Sequence, residues 1–223
     1  MPDDDKSLPA PLLQCLETVY RLGSRDGSAT LNAVSRTLEL TTAVVGQQAS
    51  ALQSAGFLET SSHGRVRLTE EGTRIAVGLV RKHRLLERFL MEELELPWQE
   101  VHELACRLTP LLSHHVADRL AKLLGDPTTC PHGNPIPSAD GALRRDSAIP
   151  LDRFKPGMAG TIVRIEPEEG DLLRYLAVLG LIPQARLEVG EVAPFGGPVL
   201  IRLGRAEYAL GRDVASKIFV KET

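Results

Sequence analysis

Between residues 125 and 150 the sequence GDPTTCPHGNPIPSADGALRRDSAIP is crowded with Pro and Gly and has little hydrophobic period, and it divides the chain into halves of opposite character. Before it, apolar residues recur at three- and four-residue intervals. After it, they come in short runs broken by turn residues. A chain patterned this way does not build one continuous core of a single type. The expectation is a helical N-terminal part, a linker over 126–150, and a small strand-built domain beyond it.

In the first part, Pro11 to Leu22 carries apolar residues at 12, 13, 16, 19 and 20, and Gly23 ends the pattern. A second short helix is expected over Thr30–Leu38, and Thr41-Thr42 offers a cap for a third, running to about Ser54. Two short helices joined by a tight turn suggest helix-turn-helix. Gly56 then closes the third helix, and FLET and RVRL flank the turn SSHG as two short strands of a wing. This order is that of a winged helix, whose third helix would enter the major groove of DNA.

From Thr69 to Leu94 an apolar stripe runs through Ile75, Leu79, Val80, Leu86, Phe89 and Leu90, predicting one long helix. Pro97 suits the first turn of the next helix, to about Leu108, and Thr109-Pro110 reads as the cap and first residue of another, to Leu124. Three such apolar faces make a platform for dimerisation. Past the linker, KPGMAGTIVRI, ARLEVGEV, PVLIRL and AEYAL read as strands, with DLLRYLAVLG an inserted helix. The expected class is α+β: an N-terminal winged helix-turn-helix (1–68), a helical dimerisation domain (69–125), the linker, and an SH3-like β-barrel (151–223).

Composition narrows the function. At 223 residues, 43% hydrophobic and 25% charged, the chain is in the globular range. No run reaches the roughly eighteen apolar residues of a membrane span, and the opening MPDDDK is acidic where a signal peptide would be basic, so a cytoplasmic protein with no membrane partner is expected. Cys15, Cys106 and Cys130 form no CxxC pair and suit a reducing compartment. A net charge of −3 argues against non-specific coating of nucleic acid, but not against site-specific binding. Residues 1 to 68 hold six Lys or Arg (6, 21, 25, 36, 65, 67) against seven acids (3, 4, 5, 17, 26, 39, 59), a weak basicity for a DNA reader.

Two helical pairs carry the chemistry. His83 and Glu87 lie four apart on the long helix, and His102 and Cys106 four apart on the next, each pair on one face. Imidazole, carboxylate and thiolate converging from two helices suit a transition metal rather than calcium. Taken singly, His83–Glu87 is an ordinary ion pair and Cys106 a small buried hydrophobe. Jointly the metal is favoured, because His83 falls inside the buried stripe, where an unpartnered imidazole costs desolvation energy. Cys106 with His102 as a hydrolase pair lacks a third group to orient the base, so no enzyme is expected. His114, His115 and His132 have no clustered acidic partner in sequence and are assigned surface or packing roles. In the third helix, Gln47 and Gln48 can bond adenine, Ala43 and Val44 can touch a thymine methyl, and Thr41 and Thr42 stand at its start. Phosphate contacts are expected from Arg36, Arg65 and Arg67. The plainer reading is that these Gln and Thr residues solvate an exposed face.

The segments RKHRLLERFL, VHELACRL, CPHGNPIP and LGLIPQARLEV, followed by APFGGP and ALG, occur in this order and together resemble the diphtheria toxin repressor family, over residues 11 to 221. The resemblance implies a homodimer that binds Fe(II) or Mn(II) as co-repressor, docks paired winged helices on a palindromic operator and represses transcription, typically of metal-uptake genes. It also implies two metal sites. His83, Glu87 and His102 match the ancillary site, with Glu169 of the barrel as its added carboxylate and Leu172 where the family often has glutamine. In the primary site Cys106 matches a ligand, but Gln14 stands for the helix-one Met or Asp and Thr109-Pro110 for a Glu-His pair. Glu17 matches a helix-one carboxylate of manganese-dependent members, and with Cys106 and Thr109 would hold a weaker ion. Thiolate and imidazole lean to iron, Glu17 to manganese. The readings that compete are a regulator that has lost metal control, and an interaction protein docking a partner through its barrel, which resembles a module of ferrous iron transport.

Overall fold

A computed structural model of the chain describes residues 8–23, 27–61, 64–144 and 146–223. The acidic tip and the Ser62-His63 part of the wing turn lie outside the described residues.

Helix α1 (Ala10–Leu22) starts at Pro9 with Pro11 in its first turn, where a missing N–H leaves no bond unmade. Strand β1 (Ala29–Thr30) leads into α2 (Leu31–Leu38), capped by the Thr30 hydroxyl, which accepts from Ala33 N at 3.1 Å. The turn to α3 (Thr42–Ser54) uses Glu39 at φ 54°, and Thr41 caps α3 by accepting from Val44 N. Strands β2 (Leu58–Thr60) and β3 (Arg65–Leu68) pair antiparallel, with β1 on the other side of β3. Leu16, Val34, Val45, Leu52 and Val66 are wholly buried at the centre of this unit.

The long helix α4 (Glu70–Glu92) begins at the Thr69 cap, and its 23 residues span roughly 35 Å at the usual helical rise. Gly72 lets it pass beneath the wing: a Cβ there would lie 1.9 Å from the Phe57 carbonyl oxygen. One helix serves three cores in turn, with Ile75 and Leu79 in the first, Leu85 in a second and Leu86 and Leu90 in a third. Its middle, where these cores meet, carries His83 and Glu87.

Helix α5 (Val101–Leu108) packs on α4. The Thr109-Pro110 cap expected from sequence is not one. Thr109 stays in the helical region and its hydroxyl donates to Ala105 O at 2.7 Å, while residues Thr109–Leu111 form a 3-10 turn. The next helix, α6 (His114–Leu123), starts instead from Ser113, whose hydroxyl accepts from Val116 N. Residues 126–150 also depart from a loose linker. Arg81, Arg84 and Arg88, along one face of α4, donate to the carbonyl oxygens of Pro137, Pro135 and Thr129, and Trp98 Nε1 donates to that of Pro131. Cys130, His132, Asn134 and Ile136 are buried as a result. A proline-rich segment has few N–H groups for a ladder but keeps its carbonyls, and here arginines satisfy them.

The C-terminal unit is an antiparallel sheet of six strands in the order β4-β9-β5-β6-β7-β8. These are β4 (Ile149–Pro150), β5 (Ala159–Ile165), β6 (Arg186–Val192), β7 (Val199–Leu203), β8 (Ala206–Leu210) and β9 (Ile218–Glu222). Helix α7 (Gly170–Leu179) enters between β5 and β6, and the short α8 (Arg212–Ala215) precedes β9. Bulges in β5 and β6 bend the sheet around a core of Leu151, Ile162, Leu173, Leu176 and Val189. Strand β9 was absent from the strands expected by pattern, yet it lies between β4 and β5.

Candidate metal centre

His83 and Glu87, 1% and 0% exposed, project from the middle of α4 on one face, and α5 sets His102 and Cys106 opposite them. One carboxylate oxygen is the hub. Glu87 Oε1 lies 3.0 Å from His83 Nε2, 2.8 Å from His102 Nδ1 and 3.3 Å from His132 Nδ1. The two imidazole nitrogens His83 Nε2 and His102 Nδ1 are themselves 3.1 Å apart.

The barrel side adds Glu168, on the segment between β5 and α7. Its Oε1 accepts from Asn134 Nδ2 at 2.6 Å and from Cys130 Sγ at 3.5 Å, and lies 3.7 Å from His132 Nδ1. Its Oε2 meets Arg21 of α1 at 2.6 Å and lies 3.7 Å from His102 Nδ1. Helix α1 closes the remaining side: Glu17 Oε1 is 3.2 Å from His83 Nδ1, and Gln14 Nε2 donates to Cys106 O at 3.4 Å. Thr109 Oγ1 is 3.5 Å from His83 Nδ1, and Cys106 Sγ 3.5 Å from His102 Nε2.

The electrostatics follow from this crowding. Burial works against a proton on His83, but Glu17 and Glu87 outweigh it and raise its pKa above the ordinary value. Burial and then Glu87 act in the same opposed way on His132, whose pKa is also raised. For Glu87 burial favours the neutral acid, yet His132 and His83 hold its pKa well below the carboxylate range. Burial and the Glu87 charge push Glu168 up, and Arg21, His102 and His132 overcome them and hold it at about 2. Burial raises both thiols, Cys130 further than Cys106 because Glu87 and Glu168 face it.

The donor set fits a divalent transition metal. His132 Nε2 lies 3.1 Å from the Trp98 carbonyl oxygen, which can only accept, so Nε2 carries a hydrogen and Nδ1 faces Glu87 and Glu168. Lone pair facing carboxylate is unfavourable unless a proton or a metal ion lies between. Glu87 Oε2 is buried with no hydrogen-bond partner among the described residues, and Glu17 Oε1, although near His83, has no aligned hydrogen bond. Three overlapping groups have ligand atoms all within 4.8 Å of one another: His83, His102 and Cys106; His83, Glu87, His102 and Glu168; and Glu87, Cys130, His132 and Glu168.

Set against the sequence expectations, His83, Glu87, His102 and Cys106 are brought together, with Glu17 and Thr109 at their edge. Gln14 reaches the cluster only through the Cys106 carbonyl. Glu169 is displaced from the site: it is half exposed and accepts from Lys217 Nζ at 3.0 Å. Its neighbour Glu168 faces inward instead and is buried. Leu172 belongs to the barrel core. His132, assigned a surface or packing role, is wholly buried, with Nδ1 3.3 Å from Glu87 and 3.7 Å from Glu168. Its partners come from α4 and the segment before α7, so no local spacing revealed it; the Cys130-Pro-His132 triplet was the available signal.

In the N-terminal unit, Thr41, Thr42, Ala43, Val44 and Gln47 are exposed at the start and outer face of α3, as is Arg36 on α2, while Gln48 is half buried. Arg65 donates to Ser28 Oγ at 3.0 and 2.7 Å, and Arg67 pairs across the wing with Glu59 at 2.8 Å. Among the described residues no helix is long and apolar enough to cross a membrane.

A family model described as "Iron dependent repressor, metal binding and dimerisation domain" matches residues 69–138, and one described as "FeoA domain" matches residues 149–222. The chain is 32% identical to the iron-dependent repressor IdeR of Mycobacterium leprae, over 93% of this chain and 95% of that one. It is 35% identical to the diphtheria toxin repressor of Corynebacterium diphtheriae, over 62% of each. A solved structure titled "Manganese-dependent transcriptional repressor complex with manganese" superposes with a TM-score of 0.85 at 30% identity, covering 95% of this chain and 100% of that one. T. acidophilum IdeR gives 0.83 at 29% identity, covering 95% and 97%.

Proposed function

Because the chain belongs to the family of iron-dependent repressors that includes IdeR and the diphtheria toxin repressor, we propose that it represses transcription when Fe(II) or Mn(II) fills the cluster around Glu87. It is a metal-dependent transcriptional repressor, not an enzyme, and acts as a dimer on DNA. The exposed Leu111, Val116 and Leu123 of the α5–α6 region, 80%, 43% and 61% accessible, supply apolar surface for that dimer. Two readers related by a two-fold axis suit a palindromic operator.

The observation that carries this reading is the convergence of His83, His102, His132, Glu87 and Glu168 on one buried point, with ligand atoms within 4.8 Å of one another in overlapping groups. The ligands are His83, Glu87, His102 and Glu168, with Cys130 and His132 from the loop; Cys106, Glu17 and Thr109 form a second, poorer set, since Pro110 brings no donor. When bound, the ion supplies a divalent charge and a coordination shell in place of the imidazole protons. Glu17 and Gln14 give α1 its hold on the cluster, and α1 packs through Leu13, Leu16 and Val19 on the core shared with Val45, Ala49 and Leu52 of α3. Tightening that hold favours one setting of α3, provided this setting binds the ion better. Thr41, Thr42, Ala43, Val44 and Gln47 then read bases, Gln48 lending less because it is half buried, and Arg36, Arg65 and Arg67 contact phosphates. We read residues 1–68 as the DNA reader, 69–125 as the dimerisation and metal unit and 151–223 as the barrel, with the first half of 126–150 belonging to the metal centre.

The test is binding of the purified protein to the DNA upstream of its own gene, first in chelator and then with Mn(II) or Fe(II) under anaerobic conditions. Affinity should rise with metal. Equally tight binding in chelator would make this a metal-independent regulator.

A further inference from the structure

Glu168 is held from both sides. Its Oε1 takes the loop through Asn134 and Cys130, and its Oε2 takes the Arg21 guanidinium at 2.6 Å. Both partners of that ion pair are largely withdrawn from water, Arg21 at 15% exposure and Glu168 at 3%. Arg21 stands on the last turn of α1, seven residues after Gln14 and four after Glu17, on the face that already meets the cluster. A guanidinium remains charged under any working condition, so this tether does not come and go with protons.

We propose that Arg21 is a positioning residue for metal-dependent DNA binding: a fixed cation on α1 that grips the free oxygen of the barrel's Glu168 and so makes the reader follow the state of the metal cluster. This rests on the reading of Glu168 as part of the ligand set. Three buried carboxylates, Glu17, Glu87 and Glu168, lie close together here, and Arg21 is the cation ion-paired to Glu168, on the oxygen turned away from the loop. Glu168 turned toward the ion by one oxygen draws Arg21, and with it α1, by the other. Without the guanidinium the cluster still has its ligands and is more negative, but its link to α1 through Glu168 is gone.

The two affinities should therefore move in opposite directions in Arg21→Gln. Mn(II) affinity, measured by competition with a fluorescent chelator, should be unchanged or tighter, while the metal-induced gain in operator affinity should fall by about tenfold, within the usual range of coupling between sites. Arg21→Lys, which keeps the charge but not the fork, should recover part of that gain. Thermal unfolding in chelator should show Arg21→Gln folded. Loss of both affinities together, or a full metal-induced gain in Arg21→Gln, would overturn the inference. Wild-type protein that binds no Mn(II) at all would instead sink the metal-site reading beneath it.

Discussion

His132 Nδ1 lies 3.3 Å from Glu87 Oε1, so an imidazole from a Pro- and Gly-rich loop and a carboxylate from the middle of the longest helix share one buried point. If that imidazole is a ligand, His132→Ala should weaken Mn(II) binding by on the order of tenfold or more, the scale of losses when metal-site partners are removed. Calorimetric titration under anaerobic conditions measures it. Wild-type affinity in the variant would remove His132 from the ligand set and leave it a packing residue.

The opposed pKa shifts set a pH profile for the metal-free protein. His83 and His132 are raised above 6.5, so their contribution to stability is full below that value and is lost as pH rises through their folded pKa. Glu87 and Glu168 are lowered below 4.5, so theirs is present above that value and lost as pH falls through the folded pKa. Thermal unfolding in chelator should thus show greatest stability between these two values, with a decline on each side. Added Mn(II) should abolish the alkaline decline, because the ion takes the place of the imidazole protons. A flat profile in chelator would mean that these groups titrate alike in the folded and unfolded chain, and stability that falls as pH drops below 6.5 would mean that the imidazoles are neutral in the folded protein.

What was legible in the sequence is what one element carries by itself. Caps at Thr30, Thr41 and Thr69, the stripe along α4 and the pairs His83–Glu87 and His102–Cys106 are local patterns, and they gave the helices, the winged helix and half of the buried cluster. Cys130, His132 and Glu168 owe their place in the cluster to loop carbonyls held by Arg81, Arg84 and Arg88 and to the turn between β5 and α7. None of that has a period. Thr109-Pro110 misled for a related reason: a hydroxyl before proline is a good cap only where the backbone leaves the helix, and Thr109 does not.

The loop that delivers His132 depends on Gly133. It adopts φ +84°, and a Cβ there would lie 1.8 Å from the Val163 carbonyl oxygen, backbone that cannot move aside without disturbing β5. Gly133→Ala should cost about 1–3 kcal/mol from the left-handed conformation alone, more with the clash. Denaturant unfolding reads that cost. The same variant should also bind Mn(II) more weakly, since Cys130 and His132 shift with the loop. Undiminished stability and affinity together would show that the loop conformation is not what holds these ligands.

Gln47 and Arg65 should separate base reading from backbone holding. Gln47 is exposed on the outer face of α3 and can bond an adenine edge with both donor and acceptor, so Gln47→Ala should cost about 1–3 kcal/mol on the operator and little on unrelated DNA. Arg65 sits on the wing with its guanidinium against Ser28, free to give a phosphate its remaining N–H groups. Arg65→Ala should weaken binding to all sequences alike and lower the slope of log affinity against log salt by about one. Both follow from fluorescence anisotropy with operator and scrambled duplexes at several salt concentrations in saturating metal. If Gln47→Ala weakened both duplexes equally, α3 would be touching the backbone rather than the bases. The mildly acidic balance of residues 1 to 68 would then leave α3 a poor choice as the recognition element.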